Sequence, residues 1–150
     1  MKRFVDIVIA SIAILFLSPV FLFVAYKVRK HLGSPIFFCQ ERPGKDGKIF
    51  KMIKFRSMKN ALDAQGNLLP DEQRITPFGQ KLRATTLDEM PQLFNVLKGD
   101  MSIVGPRPQM PEFLEYYTTD QMRRHEVKPG MTGLAQVSGR NNLSDRKSVV

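Results

Sequence analysis

Apolar positions are concentrated near the start of the chain. From Ile7 to Tyr26 the sequence IVIASIAILFLSPVFLFVAY carries no charge. As a helix rising about 1.5 Å per residue, such a run matches the thickness of a bilayer core. Ser18-Pro19 interrupts it near its centre. Proline has no N–H to bond back to Leu15, and its ring clashes with that carbonyl, so the pattern predicts a break or kink. Ser18 can bond a freed carbonyl, which makes a break tolerable in lipid. Lys2 and Arg3 precede the run, and Lys27, Arg29 and Lys30 follow it. Positive charge marks the cytoplasmic side of a membrane segment, and here both ends carry it. Two arrangements are open at this point. One is a re-entrant hairpin that bends at Ser18-Pro19 and returns to the same face. The other is an ordinary kinked spanning helix.

Beyond the run, the pattern changes period. SPIFFCQER (Ser34 to Arg42) predicts a strand, and KIFKMIKFRSM (Lys48 to Met58) a second. The turn residues Pro43-Gly44-Lys45-Asp46-Gly47 between them predict a hairpin. Alternation puts Lys54 and Arg56 on one face of the second strand. Asn60 to Arg74 is polar and predicts a surface loop. Thr76-Pro77 predicts a capped helix to about Ala84. TLDEMPQLFNVLKG predicts another, ended by Gly99. Gly105-Pro106-Arg107-Pro108 is a rigid loop, Pro111 opens an expected helix to about Arg124, and Pro129 to Gly133 reads as a turn. Leu134 to Val137 is expected as a short strand before Ser138-Gly139-Arg140. Mixed helix and strand signals predict an α+β class.

Composition narrows the partners. The 150 residues carry a formal net charge of +9, which favours anionic partners. With a membrane segment adjoining, anionic inner-leaflet lipid is the economical one, at about 1 kcal/mol per juxtamembrane basic residue. Nucleic acid is disfavoured, because no binding motif is present. The apolar run is long for a signal peptide and has no small-x-small cleavage site, so the remainder is expected on the cytoplasmic side. Cys39 is the single cysteine. It excludes an intrachain disulfide and reads as a semi-buried hydrophobe on a strand.

Candidate chemistry centres on Asp88-Glu89. Pro91 restricts the following helix to begin near Thr86 to Asp88, which would set both carboxylates at a helix N-terminus and favour their ionised forms. An ionised Asp can attack phosphorus or bind a divalent cation. Acidic residues are also preferred at helix starts for stability alone. Lys54, Arg56, Arg107 and Arg140 lie on strands or Pro/Gly-bounded loops, where several cations could meet a diphosphate. His31 and His125 lack metal-ligand spacing and are expected on the surface.

Taken with MKRFVDIVIA, Ser18-Pro19, RATTLDEMPQLFNVLKGDMSIVGPRPQMPEF and KPGMTGLAQVSGR, the chain resembles the bacterial sugar transferases, the small monotopic phosphoglycosyl transferases, over nearly its whole length. The resemblance implies the hairpin: a re-entrant helix-break-helix over residues 1–31, then a small cytoplasmic α+β catalytic domain over 32–150 at the bacterial inner membrane. It implies transfer of a phosphosugar from a UDP-sugar to polyprenol phosphate with release of UMP. In this reading Asp88 is the nucleophile and forms a covalent phosphosugar intermediate. Glu89 assists as metal ligand and acid/base, Mg²⁺ is the cofactor, and Lys54, Arg56, Pro106, Arg107, Pro108 and Arg140 bind substrate. The family usually continues well past the Gly-Arg motif, so the chain is expected to be truncated at its C-terminus. An inactive remnant that binds nucleotide sugar or a partner, and a phosphate-ester hydrolase, are the competing readings.

Overall fold

The computed structural model describes residues 1–137; Arg140 and its neighbours Ser138 and Gly139 lie outside the described residues. The long helix α1 covers Lys2–Leu32 and runs through Ser18 and Pro19 without interruption. The expected helix-break-helix is therefore one helix. Proline forfeits a single backbone bond, whereas opening a turn would strand several N–H and C=O groups among apolar neighbours.

Strands β1 (Phe37–Pro43) and β2 (Ile49–Phe55) pair as a two-stranded sheet. A 3₁₀ turn at Lys45–Gly47 links them, with Asp46 at φ 56° and Gly47 at φ 70°. Cys39 is exposed on β1 rather than semi-buried. The polar stretch that follows contains the short helix α2 (Asp71–Arg74). Helix α3 (Pro77–Ala84) has the bounds its cap predicts, and Thr76 accepts from the Gly79 N–H. Helix α4 covers Gln92–Lys98. Strand β3 (Ser102–Val104) follows.

The single helix expected from Pro111 to Arg124 is absent. A 3₁₀ segment spans Pro111–Tyr116, and α5 spans Thr119–Met122. Thr118 and Gln121 form a reciprocal capping box, which starts a new helix where the pattern suggested continuation. The turn expected at Pro129 to Gly133 holds strand β4 (Gly130–Thr132), parallel to β3. Leu134–Val137 is the short helix α6, not a strand, because the Gly133 carbonyl accepts from the N–H groups of Gln136 and Val137. The fold is thus mixed helix and strand.

The residues pack as two compact units. The first comprises Met1–Phe16, Cys39–Met52 and the described residues from Gln92 onward, and the second Leu17–Phe38 and Ile53–Pro91. Ala10 is fully buried in the first core with Phe50, Met52, Leu93, Val96 and Met101, and Ala13 and Ile14 pack against them. In the second core Val24 and Val28 join Phe55, Leu82 and Met90, flanked by Phe21, Ala25 and Leu32. The helix positions involved recur every three or four residues, as one face of a helix does.

Within the first unit, two glycines allow backbones to cross. A Cβ on Gly130 would lie 2.0 Å from the Gly105 nitrogen, and one on Gly105 would lie 2.5 Å from the Lys128 oxygen. The Gly105 N–H donates to the Thr132 oxygen at 2.9 Å, and the Gly130 N–H to the Pro106 oxygen at 3.0 Å. This crossing fixes where the Pro106-Arg107-Pro108 loop departs. Gly130→Ala is expected to lower stability by at least about 1–3 kcal/mol, the usual range for overpacking. Thermal melting of the purified protein in nanodiscs checks this; an unchanged midpoint would show that the crossing can open.

Candidate active site

Asp88 and Glu89 sit on a separate 3₁₀ turn, Leu87–Glu89, ahead of α4. The carboxylates are therefore not in the first turn of that helix. The reason is Thr86, whose φ of 57° turns the chain left-handed immediately before the turn. A β-branched residue in this region is a strained outlier, and such strain clusters at functional sites. The Thr86 carbonyl accepts the Glu89 N–H at 3.1 Å and so closes the turn.

Asp88 is buried, with 7% of its surface exposed. Burial pushes its pKa above the ordinary carboxylate value of 3.8. Lys54 and Arg83 pull it down, while the charge of Glu89 pushes it up. The expected helix-dipole stabilisation of the anion is thus replaced by two specific cations working against desolvation. Lys54 donates to Glu89 Oε1 at 2.9 Å, with side chains only 17% and 16% exposed. Screening by solvent is weak at that depth, so the pair matters more than a surface salt bridge. Arg83 donates through Nε to Ser57 Oγ at 2.9 Å, which holds the guanidinium on the β2 side of α3.

Of the predicted residues, Lys54, Asp88 and Glu89 are brought together. Arg56 is placed otherwise. It is 6% exposed, and its guanidinium donates to the Ser34 carbonyl at 2.8 Å and to the Leu32 carbonyl. It caps the C-terminal end of α1, where cations are favoured. Burial lowers its pKa. The predicted shared face with Lys54 fails because β2 ends at Phe55, so strand alternation stops one residue short.

Arg107 lies in the first unit, in a shallow cleft with Pro106, Pro108, Arg124 and His125. Arg124 donates to the Arg107 carbonyl at 2.8 Å. The charge of Arg107 is felt by Arg42, whose pKa is lowered by burial and then by that neighbour. His125 is buried rather than on the surface. Its Nδ1 lies 3.1 Å from the Gly44 oxygen, and burial lowers its pKa. His31 is exposed and stacks on Phe78.

Sequence reasoning missed Arg83 and Thr86. Arg83 had a readable signal, a cation in the last turn of a helix five residues before Asp88. A left-handed threonine has none. Among the described residues no group of three or more His, Cys, Asp or Glu side chains converges as a metal cage.

The sequence agrees with known proteins over its full length. The bacterial sugar transferase family matches residues 1–150. The chain belongs to this family. The sugar transferase EpsL of Bacillus subtilis is 51% identical over 147 residues, covering 98% of this chain and 73% of that protein. A UDP-glucose:undecaprenyl-phosphate glucose-1-phosphate transferase of Klebsiella pneumoniae is 42% identical, covering 96% of this chain and 32% of its own length. An undecaprenyl-phosphate galactose phosphotransferase of Salmonella typhimurium is 42% identical, covering 95% and 33%. The chain therefore spans about a third of the length of the latter two.

In this sugar transferase, Lys54→Met removes an ammonium that opposes the desolvation of Asp88 and pairs with Glu89. The expected result is a further rise in the Asp88 pKa and at least a tenfold loss of sugar-phosphate transfer, with partial recovery in Lys54→Arg. Carboxyl NMR titration and transfer assays check both; an unmoved Asp88 titration would detach Lys54 from the site.

Proposed function

We propose that the chain transfers a sugar 1-phosphate from a UDP-sugar to polyprenol phosphate and releases UMP. The observation that carries this reading is a desolvated aspartate flanked by Lys54, Arg83 and Glu89 in a member of the bacterial sugar transferases. The names of the Klebsiella and Salmonella relatives support the acceptor and the type of group transferred.

The Asp88 carboxylate attacks the sugar-linked phosphorus, and the bond from that phosphorus to the bridging oxygen of UMP breaks. A covalent aspartyl phosphosugar results. An oxygen of the polyprenol phosphate then attacks the same phosphorus and returns Asp88 as a carboxylate. Burial leaves the anion poorly solvated and so more reactive once ionised. Lys54 and Arg83 supply the positive field that keeps it ionised and stabilises charge on the departing phosphate. Glu89 orients Lys54 and is placed to manage the acceptor's proton. Arg107, held by its Pro-flanked loop, meets the nucleotide or its phosphates, and Arg140 is proposed to act with it.

Two adjacent carboxylates fit Mg²⁺, which takes oxygen donors and keeps room for water and substrate phosphates. Asp88 and Glu89 would hold it, and it would supply neutralising charge to the diphosphate.

The reaction is assigned to the cytoplasmic face of the bacterial inner membrane, with residues 1–31 as the membrane element and 32–150 as the catalytic domain. Helix α1 is long and apolar enough to cross a bilayer. Phe4, Leu15, Phe16, Leu22, Phe23 and Tyr26 are each at least 60% exposed. Leaving such side chains in water costs about 1.5–3 kcal/mol each, so lipid is the fitting cover. An arrangement with both ends of α1 on the catalytic domain's side is favoured over a span because residues from each half of the helix pack into a hydrophobic core.

Asp88→Asn is expected to abolish transfer of labelled sugar from UDP-sugar into the lipid phase, since an amide neither attacks phosphorus nor binds the metal well. Retained transfer would exclude covalent catalysis through Asp88. UMP release should also depend strictly on polyprenol phosphate; release into water alone would make the protein a hydrolase. Arg107→Ala should raise the KM for UDP-sugar several-fold or more, in line with a lost charge-assisted contact of roughly 1.5–3 kcal/mol. Unchanged kinetics would remove Arg107 from the binding site.

A further inference from the structure

The first turns of α1 carry three charged residues, and each of them hydrogen-bonds to the protein: Lys2 from an exposed position, Arg3 half-buried and Asp6 buried. Asp6 is 5% exposed. Its two carboxylate oxygens accept from the Ser102 hydroxyl at 3.0 and 2.9 Å, and Oδ1 also accepts from the Ile103 N–H at 3.0 Å. Arg3 donates to the Leu97 carbonyl at 2.6 Å and to the Val96 carbonyl, at the C-terminal end of α4. Lys2 donates to the Val104 carbonyl at 3.0 Å. One turn further along, Ala10 is fully buried in the core of the same unit. Gly99 leaves room for this arrangement, since a Cβ there would lie 3.3 Å from the Arg3 guanidinium.

We infer that Asp6 is a topological latch: by docking on Ser102 and Ile103 it holds the amino terminus on the same side of the membrane as the catalytic domain. The inference rests on the membrane reading above and adds the residue that enforces it. A carboxylate at the edge of an apolar run is costly unless it is hydrogen-bonded, and β3 supplies both donors. If Met1 stood on the far side of the bilayer, Asp6 would lose both, and the Ser102 hydroxyl and Ile103 N–H would lose their acceptor.

Charge alone makes the opposite prediction. Asp6→Ala leaves the amino-terminal flank more basic, so the positive-inside rule would hold Met1 on the cytoplasmic side at least as firmly. The latch predicts release.

The test uses the full chain in intact cells, in a Cys39→Ser background, with one cysteine placed at the amino terminus. A membrane-impermeant maleimide is applied before and after the inner membrane is opened. The unaltered chain should label only after opening. Asp6→Ala should label in intact cells at least threefold more, and Asp6→Asn, which keeps one carbonyl acceptor, should fall between. Adding Ser102→Ala to Asp6→Ala should change labelling little further, because the same contact is already lost. Protection of the Asp6→Ala chain equal to the parent would overturn the latch and leave the membrane reading standing. Labelling of the parent itself in intact cells would overturn the membrane reading and the latch with it. Should Asp6→Ala not accumulate, Ser102→Ala and Asp6→Asn decide: a shift in either supports the latch, and none in both overturns it.

Discussion

The rest of the structure is built on one long helix, α1, only part of whose apolar surface is covered by protein. The packing of α1 divides its circumference. Ala10, Ala13, Ile14, Phe21, Val24, Ala25 and Val28 are turned to protein. Leu15, Phe16 and Phe23 are left outward. The alanines let the cores approach the helix backbone closely, so the helix is an integral part of both hydrophobic cores. Removing it would open those cores as well as any membrane attachment.

The carboxylate pair depends on that arrangement through β2. Phe50, Met52 and Phe55 fix the strand in the cores. Lys54 lies between two of these anchors and reaches Glu89 with little freedom. Desolvation raises the energy of the Asp88 anion, and nearby cations lower it. A site balanced this way is sensitive to both charge and depth. A polar substitution that merely admitted water would relax Asp88 toward an ordinary carboxylate pKa.

Local signals in the sequence were reliable where one residue decides the outcome. Thr76-Pro77 set the start of α3, and Gly99 the end of α4. The Asp88-Glu89 pair and its partner Lys54 were legible as candidates from residue type and position. What was not legible depended on distant partners. The parallel pairing of β3 and β4 joins residues about 28 apart in sequence and leaves no alternation in three-residue strands. The role of Arg56 turned on where β2 stops, one residue away. Leu134 to Val137 has strand composition, yet a glycine carbonyl two hydrogen bonds deep makes it helical. Pro19 was read as a kink or break, and α1 continues through it as one helix. Arg140 lies outside the described residues.

The contact between Asp6 and Ser102 spans 96 residues of chain. During synthesis at 5–20 residues per second, roughly 5–20 s separate the two ends of that contact. Throughout this interval the apolar helix is already available to lipid while the carboxylate has no partner. Lys2 and Arg3 carry charge at the amino terminus over that period, but they too await carbonyls made later. With Asp6 as the proposed latch, orientation is set in two stages, a provisional one by charge on the nascent chain and a final one when β3 emerges. A pause in translation between the helix and Ser102 would prolong the first stage and the exposure to misinsertion that goes with it.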